Sequence, residues 1–378
     1  MDYIERYFKD KTKDISFIEV KDGSQVAIGD YEIEQGIPLP IITSDLIEEI
    51  QSGNLQEEIK VLGIIEGIIY LLGTDREFPY GDEYKRILMS YRGDIGNYIL
   101  YHGIKDMEKG DYDRGGIKFR TLLSIEPDNV IGLFNYAIVL EEIGNRFMKN
   151  GEEDRSEEFI ESSTSILESI LDIDEEFSLA YYKLGFHYSY KGKYLKANLI
   201  WKKFLLLSDD ELLLQEIREE MERIHEDVLI EVVMTYLANN DFDRALDNIL
   251  KLMPKYEDNW NINYLIGYIY GNLGQYKLAI DYLDRAIELN LGEPDSYIEL
   301  GSIYFNIGQI TEAIDIFSRG IEYCAEDYRL YFNRGLCYAY LGRYEEGYID
   351  IDRASILNPQ DEIVIEQKLK LESMEGKI

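Results

Sequence analysis

Small and apolar residues recur along this chain in a 34-residue pattern. Counting from Pro294, Tyr297, Leu300, Gly301, Tyr304, Gly308, Ala313, Phe317 and Gly320 stand at steps 4, 7, 8, 11, 15, 20, 24 and 27. From Tyr328 the same steps return as Tyr331, Arg334, Gly335, Tyr338, Gly342, Gly347, Ile351 and Ala354. From Trp260 they give Ile266, Gly267, Tyr270, Gly274, Ala279, Leu283 and Ala286. Apolar positions three and four apart predict amphipathic helices, and the glycine at step 15 predicts the end of the first one. Each unit therefore reads as helix A, a tight turn and helix B. Weaker copies start at Glu226, Ser178, Val130 and Gly96, so about seven units cover residues 96–361. A tyrosine ladder at step 11 (Tyr188, Tyr236, Tyr270, Tyr304, Tyr338) marks the register, with spacings of 48, 34, 34 and 34 residues.

Each recurring step has a physical cause. Step 8 is small in most units because helices A and B approach closely there; Val233 departs from this. Step 20 is the facing small residue. Step 15 reads Gly110, Gly144, Gly192, Asn240, Gly274, Gly308 and Gly342. Glycine, then asparagine, best tolerates the left-handed conformation of a helix C-cap. The tyrosine at step 11 is expected to be structural, with its ring between helices and its hydroxyl on a polar partner.

Two steps of 48 residues, Val130 to Ser178 and Ser178 to Glu226, each carry 14 extra residues. Shared between two helices, 14 residues add seven to each, about two turns, which keeps the buried stripe nearly in phase. The first excess holds Arg146 to Glu158, inside a hairpin. The second holds Leu212 to His225, between hairpins. Lengthened hairpins are expected at both. Asp361 to Met374 reads as an amphipathic capping helix, with Ile363, Val364, Ile365, Leu369 and Leu371 over the last unit.

Residues 1–95 lack the period. Phe17 to Ile28 suggests a hairpin turning at Asp22-Gly23, which Tyr31-Glu-Ile-Glu extends. Ile37-Pro-Leu-Pro-Ile reads as an extended linker. Helical patterns follow at about 44–51, 55–72 and 82–91, with Ser44 as an N-cap. The predicted organisation is a small mixed α/β domain over 1–95, the array over 96–361 and the cap over 362–378.

Composition narrows the function classes. Lys and Arg number 39 against 74 Asp and Glu, a net charge of -35. Such a chain repels nucleic acid and anionic membranes at long range. Cys324 and Cys337 are too few for a disulfide framework, the N-terminus lacks a signal pattern, and Val61 to Gly73 is too short to span a bilayer. A cytoplasmic location is expected. Three histidines (His102, His187, His225) share no metal-ligand spacing, and no phosphate loop or nucleophile motif occurs. No catalytic, metal or cofactor site is assigned. An enzyme would have to place its chemistry in residues 1–95.

The unit resembles the tetratricopeptide repeat, whose pattern is W-x2-L-G-x2-Y, then A-x3-F, then P. The resemblance implies a right-handed all-α solenoid and a protein or peptide partner. It also implies a concave groove lined by helix A at steps 2, 5, 6, 9, 12 and 13. Step 5 gives Leu100, Phe134, Tyr182, Ile230, Tyr264, Ile298 and Phe332. Step 6 includes Asn135, Lys183 and Asn333; only the two asparagines match the family's peptide clamp, and the arrangement that grips chaperone C-termini is absent. Step 9 is apolar in six of seven units: Ile104, Ile138, Phe186, Met234, Tyr268 and Leu336, with Ser302 the exception. The groove is expected to hold an apolar or amphipathic segment through Phe134, Asn135, Tyr182, Lys183, Phe186, Met234, Tyr264, Tyr268, Phe332, Asn333 and Leu336. Alternatives are a regulator switched by peptide-induced change of superhelix pitch, and self-occlusion of the groove by the N-terminal region. A lysine-rich stretch, Lys183 to Lys203, is expected to be neutralised by the acidic segment that follows it.

Overall fold

A computed structural model describes residues 3–19, 27–44, 46–47 and 61–375. It divides into two compact units, Met1–Met221 and Glu222–Ile378. Both are built mainly from antiparallel helix pairs packed in consecutive order.

In the first unit the pairs are Ile95–Glu108 with Tyr112–Ile125, Val130–Lys149 with Glu153–Ile173, and Ser178–Tyr190 with Tyr194–Leu207. The middle pair has helices of 20 and 21 residues, against 13 and 14 in the pair Pro294–Asn306 and Ile310–Tyr323. The first excess is thus split as seven residues per helix. Gly144 consequently lies inside a helix and does not cap it. Gly151, seven residues later, takes the left-handed conformation with φ 77°. Gly144 gains a packing contact instead: a Cβ there would stand 3.0 Å from the Ile160 side chain, whereas at Gly192, Gly274 and Gly308 it would meet nothing within 4 Å. The second excess corrects the expectation of a lengthened hairpin: it forms a separate helix, Glu211–Arg223, whose Leu214 and Ile217 are buried.

Close approach at step 8 is clearest at Gly185. A Cβ there would lie 2.0 Å from Trp201 Nε1, and the indole N–H donates to the Tyr182 carbonyl at 3.2 Å. Only a bare backbone admits the fully buried Trp201 at step 24.

The N-terminal region differs from its reading. Strand β1 (Ile15–Ile18) pairs antiparallel with β4 (Leu39–Ile42), Phe17 opposite Pro40. The expected linker is therefore a strand, and Leu39 to Ile42 are all buried. β2 (Ala27–Ile28) pairs with β3 (Tyr31–Glu32), so the short hairpin turns at Gly29-Asp30. The expected Asp22-Gly23 turn lies outside the described residues, as do parts of the helices expected at 44–51 and 55–72. Helix Val61–Thr74 packs against β4 and against Tyr112–Ile125. Thr121 Oγ1 donates to the Ile69 carbonyl at 2.5 Å, and Arg120 Nε to that of Gly73 at 2.6 Å.

Helix Tyr3–Lys9 is locked into the same core. Phe8 and Ile4 pack with Ile117, Phe119, Tyr136, Val139, Leu140, Ile143 and Phe159. Glu5 pairs with the buried Arg120 at 2.7 Å, and the Arg120 guanidinium lies 4.6 Å over the Phe8 ring. Where the contacts fall on helix Val130–Lys149, they use steps 7, 10, 11 and 14, with Tyr7 adding Arg146 and Phe147 at steps 17 and 18, and not steps 5, 6 and 9. This helix is a structural member of the unit and does not fill the groove positions of Val130–Lys149. In the first pair, Leu100 and Ile104 do lie against cores shared with N-terminal residues.

In the second unit the pairs are His225–Ala238 with Phe242–Ile249, Trp260–Asn272 with Tyr276–Leu289, Pro294–Asn306 with Ile310–Tyr323, and Tyr328–Tyr340 with Tyr344–Leu357. Asn240 serves as a C-cap at φ 55°, as its place in the glycine series implied. Val233 faces Ile249 in a helix of only eight residues. A second short helix, Met253–Tyr256, has Pro254 in its first turn, where the missing N–H costs nothing. The final helix, Glu362–Glu375, covers the last pair through Val364 and Leu371. That stripe is narrower than expected, because Ile363, Ile365 and Leu369 are exposed.

Candidate peptide-binding face

The groove residues of the first unit are half-buried and largely engaged. Phe134 meets Phe177 edge-on at 5.4 Å. Asn135 donates its amide to the Ile131 carbonyl of its own helix at 2.8 Å. Lys183 Nζ lies 2.9 Å from Glu141 Oε2. Phe186 packs on Trp201 and Tyr182, with centroids 5.1 Å apart in both cases. Tyr182 also touches Phe204 and gives its hydroxyl to Glu216 at 3.0 Å. Burial, followed by the Glu216 carboxylate, pushes the Tyr182 phenol up to about 12. Helix Glu211–Arg223 thus lies against a predicted groove residue, which step counting could not show.

Lys183 belongs to a cluster with Glu141, His187 and Thr164. Burial alone would raise the Glu141 carboxyl, but His187 and Lys183 together hold it below its ordinary value. Sequence reasoning assigned no role to His187 or Glu141. The available signal was a histidine at step 10 one unit after a glutamate at step 12. The lysine stretch is partly neutralised, but by the preceding helix: Lys191 pairs with Glu161 at 3.4 Å and Lys196 with Glu168 at 3.2 Å. The expected pairing with the following segment is corrected accordingly for these two.

In the second unit, Tyr264 and Tyr268 stack at 6.3 Å, and Tyr268 meets Phe242 at 6.4 Å. Met234 is exposed, with 51% of its surface free. Phe332 and Leu336 are half-buried beside Ile351 and Ala354, and Asn333 is half-buried. Glu299, at step 6, is held above the usual carboxylate range by burial and then by Asp295. Asp295 itself has a partner, Arg329, at 2.8 Å. Burial, then Glu299 and Asp295, raises the Tyr264 phenol as well. The face therefore sets stacked aromatic rings beside a desolvated acid.

Among the described residues no group of three or more metal-ligating side chains converges. No described helix is long and apolar enough to cross a membrane.

The family model of the tetratricopeptide repeat matches residues 261–292, 294–327 and 328–361. Residues 261–361 are tetratricopeptide repeats. Among curated proteins, none matches the chain. Several solved structures are similar to it. MamA from Desulfovibrio magneticus RS-1, from residue 41 to its end, is 18% identical over 40% of this chain and 85% of its own, with a TM-score of 0.36. YrrB, described as a TPR protein with an unusual peptide-binding site, is 20% identical over 66% and 97%, at 0.27. The first TPR of Spaghetti (RPAP3), bound to an HSP90 peptide, is 20% identical over 31% and 93%, at 0.30. At these scores the likenesses carry no argument about a partner. Outside 261–361, the pairs at 96–125 and 178–207 repeat one contact of the tetratricopeptide repeats. Gly103 meets Phe119 and Gly185 meets Trp201, as Gly301 meets Phe317.

Proposed function

We propose that this protein is an interaction scaffold whose helix A face in the second unit holds an amphipathic segment of a partner protein. The observation that carries the reading is the set of half-buried aromatics, Tyr264, Tyr268 and Phe332, with the desolvated Glu299 next to Tyr264. Rings that are neither fully packed nor fully wet leave apolar area for a partner to cover, and a helical segment does so with residues three and four apart. The acid beside them favours a segment with a basic residue near its apolar stripe. Tyr182 contributes less, because Glu216 and Phe204 already hold it.

The test is capture of one defined partner or peptide by the purified chain, repeated with Tyr264→Ala and Phe332→Ala together. Loss of capture with unchanged helical circular dichroism is the expected result. Undiminished capture by that variant overturns the assignment of the face.

A further inference from the structure

The outward face of helix Tyr194–Leu207 lacks a cover. Ala197, Trp201 and Phe204 are buried, and Leu199, Lys202, Lys203 and Leu206 line the other side at i, i+3, i+4 and i+7. Leu199 keeps 56% of its surface exposed and Leu206 81%. Leu212, just past the turn that follows, is also 81% exposed.

Single exposed leucines are ordinary, so their position in the repeat decides what they mean. Leu199 and Leu206 stand at steps 22 and 29 of their unit. From Trp260 those steps hold Asp281 and Glu288, and from Pro294 they hold Asp315 and Glu322. From Glu226, step 22 is Asp247. The unit from Gly96 has Ile117 at step 22, and there the chain supplies its own cover. Ile117 is 1% exposed, in one core with Ile4 and Phe8 of the N-terminal helix. The last unit repeats the exposed pair as Ile349 and Ile356, but one acid and one base, Asp352 and Arg353, flank it. That face carries no excess charge for a partner to match.

The face at Leu199 and Leu206 does carry one. Ser178 to Ser208 contains no acid. Lys191 and Lys196 are held by Glu161 and Glu168. Among the described residues Lys202 and Lys203, both exposed, have no acidic partner. At physiological ionic strength a charge is felt over about 8 Å, so a docking segment meets these lysines and not the net charge of the whole chain.

We propose that this face docks an amphipathic helical segment of a partner protein with acids beside its apolar stripe. Its apolar residues cover Leu199 and Leu206, and its carboxylates meet Lys202 and Lys203 between them. The lysine stems add apolar area around the leucines. An anionic membrane offers similar chemistry, but its broad surface also meets the acids that dominate this chain, whereas one helix touches the patch alone. The surface lies on helix B of the first unit, apart from the helix A face of the second, so each reading can fail without the other.

The probe is a fluorescein-labelled peptide of about 15 residues with leucine at helical spacing and glutamate and alanine between, long enough to hold a helix. Its controls are the lysine-for-glutamate counterpart and the same residues in scrambled order. Fluorescence anisotropy against the full chain should saturate for the glutamate peptide with a Kd below about 1 mM, and both controls should bind at least about tenfold more weakly. Lys202→Glu with Lys203→Glu should weaken the glutamate peptide at least about tenfold and favour the lysine counterpart. Leu199→Ala with Leu206→Ala should weaken it about tenfold. All four positions are exposed, so both variants should keep the helical circular dichroism of the parent chain. No saturation, equal binding of the charge-swapped peptides, or indifference to either pair of substitutions overturns the proposal. Co-flotation with vesicles of phosphatidylcholine and about a quarter phosphatidylserine, controlled by the lysine pair while the peptide stays unbound, overturns it in favour of lipid. Tyr264→Ala with Phe332→Ala should leave the peptide bound; a loss there would move the peptide to the second-unit face and sink the helix B site.

Discussion

Phe8→Ala tests whether the N-terminal helix is part of the repeat core. Phe8 is 0% exposed. Its ring meets Tyr7 at 5.3 Å and Tyr136 at 6.3 Å, and Arg120 lies 4.6 Å above it. The fit against Gly116 is tight enough that a Cβ there would stand 3.0 Å from Phe8 Cζ. Truncating a buried phenylalanine costs about 3–5 kcal/mol, the transfer loss plus the cavity left behind. The guanidinium contact adds up to about 2 kcal/mol, because Arg120 is desolvated. The net expectation is about 4 kcal/mol, or roughly 10³-fold in the local opening equilibrium. Because tetratricopeptide arrays open locally, a single global midpoint is a poor readout. Hydrogen exchange followed by mass spectrometry should show protection lost in peptides spanning residues 3–9 and 112–125. Peptides from Pro294–Asn306 provide the internal reference. A loss below about 1 kcal/mol in those two segments would mean that the helix is not docked in solution, and the structural role given to it would fail.

Other outcomes follow from single sites. Gly151→Ala places a Cβ where nothing lies within 4 Å, so its cost is the left-handed backbone alone, about 1–2 kcal/mol in urea unfolding. If Gly144 were the true cap, Gly151 would be helical, and alanine there would stabilise by up to about 1 kcal/mol. Burial pushes the Cys337 thiol up to about 11, so an aromatic disulfide reagent at mildly alkaline pH should leave it untouched in the native protein while the half-buried Cys324 reacts slowly. Equal native rates would contradict the packing around Cys337. Glu141 is held below its ordinary 4.5, so the stability it contributes is complete above that value and drains as pH falls through the lowered one. Glu141→Gln should therefore show a shallower loss of stability on acidification than the parent chain, and parallel curves would refute the cluster.

Legibility in the sequence followed the length over which each pattern repeats. Step 8, step 20 and the caps recur at a fixed interval, so Gly185, Gly301 and Asn240 could be placed without any coordinates. The N-terminal strands are two to four residues long, and β1 pairs with a segment about 24 positions away that contains Pro40 and follows Pro38. Neither alternation nor turn chemistry could point to that pairing. The candidate face was legible only as a list of positions. Step number says that Tyr182 and Tyr264 occupy the same place on helix A. It does not say that Glu216 and Phe204 engage the first while an unneutralised Glu299 stands by the second. What covers a groove residue comes from another helix, and a period carries no information about insertions that break it.

The two 14-residue excesses show how phase governs what a reader of the sequence can see. Seven residues are 1.94 turns, so a seven-residue extension rotates the stripe by only about 20°. Placed within a hairpin, the first excess leaves Ser163 still facing Ala137, its hydroxyl donating to the Ala137 carbonyl at 2.8 Å, while moving the cap to Gly151. Packing roles survive such an insertion because they depend on angle. Capping roles do not, because they depend on where the helix ends. Placed between hairpins, the same 14 residues have no partner helix to extend and fold on their own, as Glu211–Arg223. The overhang made by the first excess also lines a pocket of about 600 Å³ with Met148, Ile160 and Phe186. Additions that preserve the stripe thus create new surface beyond it, and on this chain that surface holds a pocket which the repeat pattern alone does not specify.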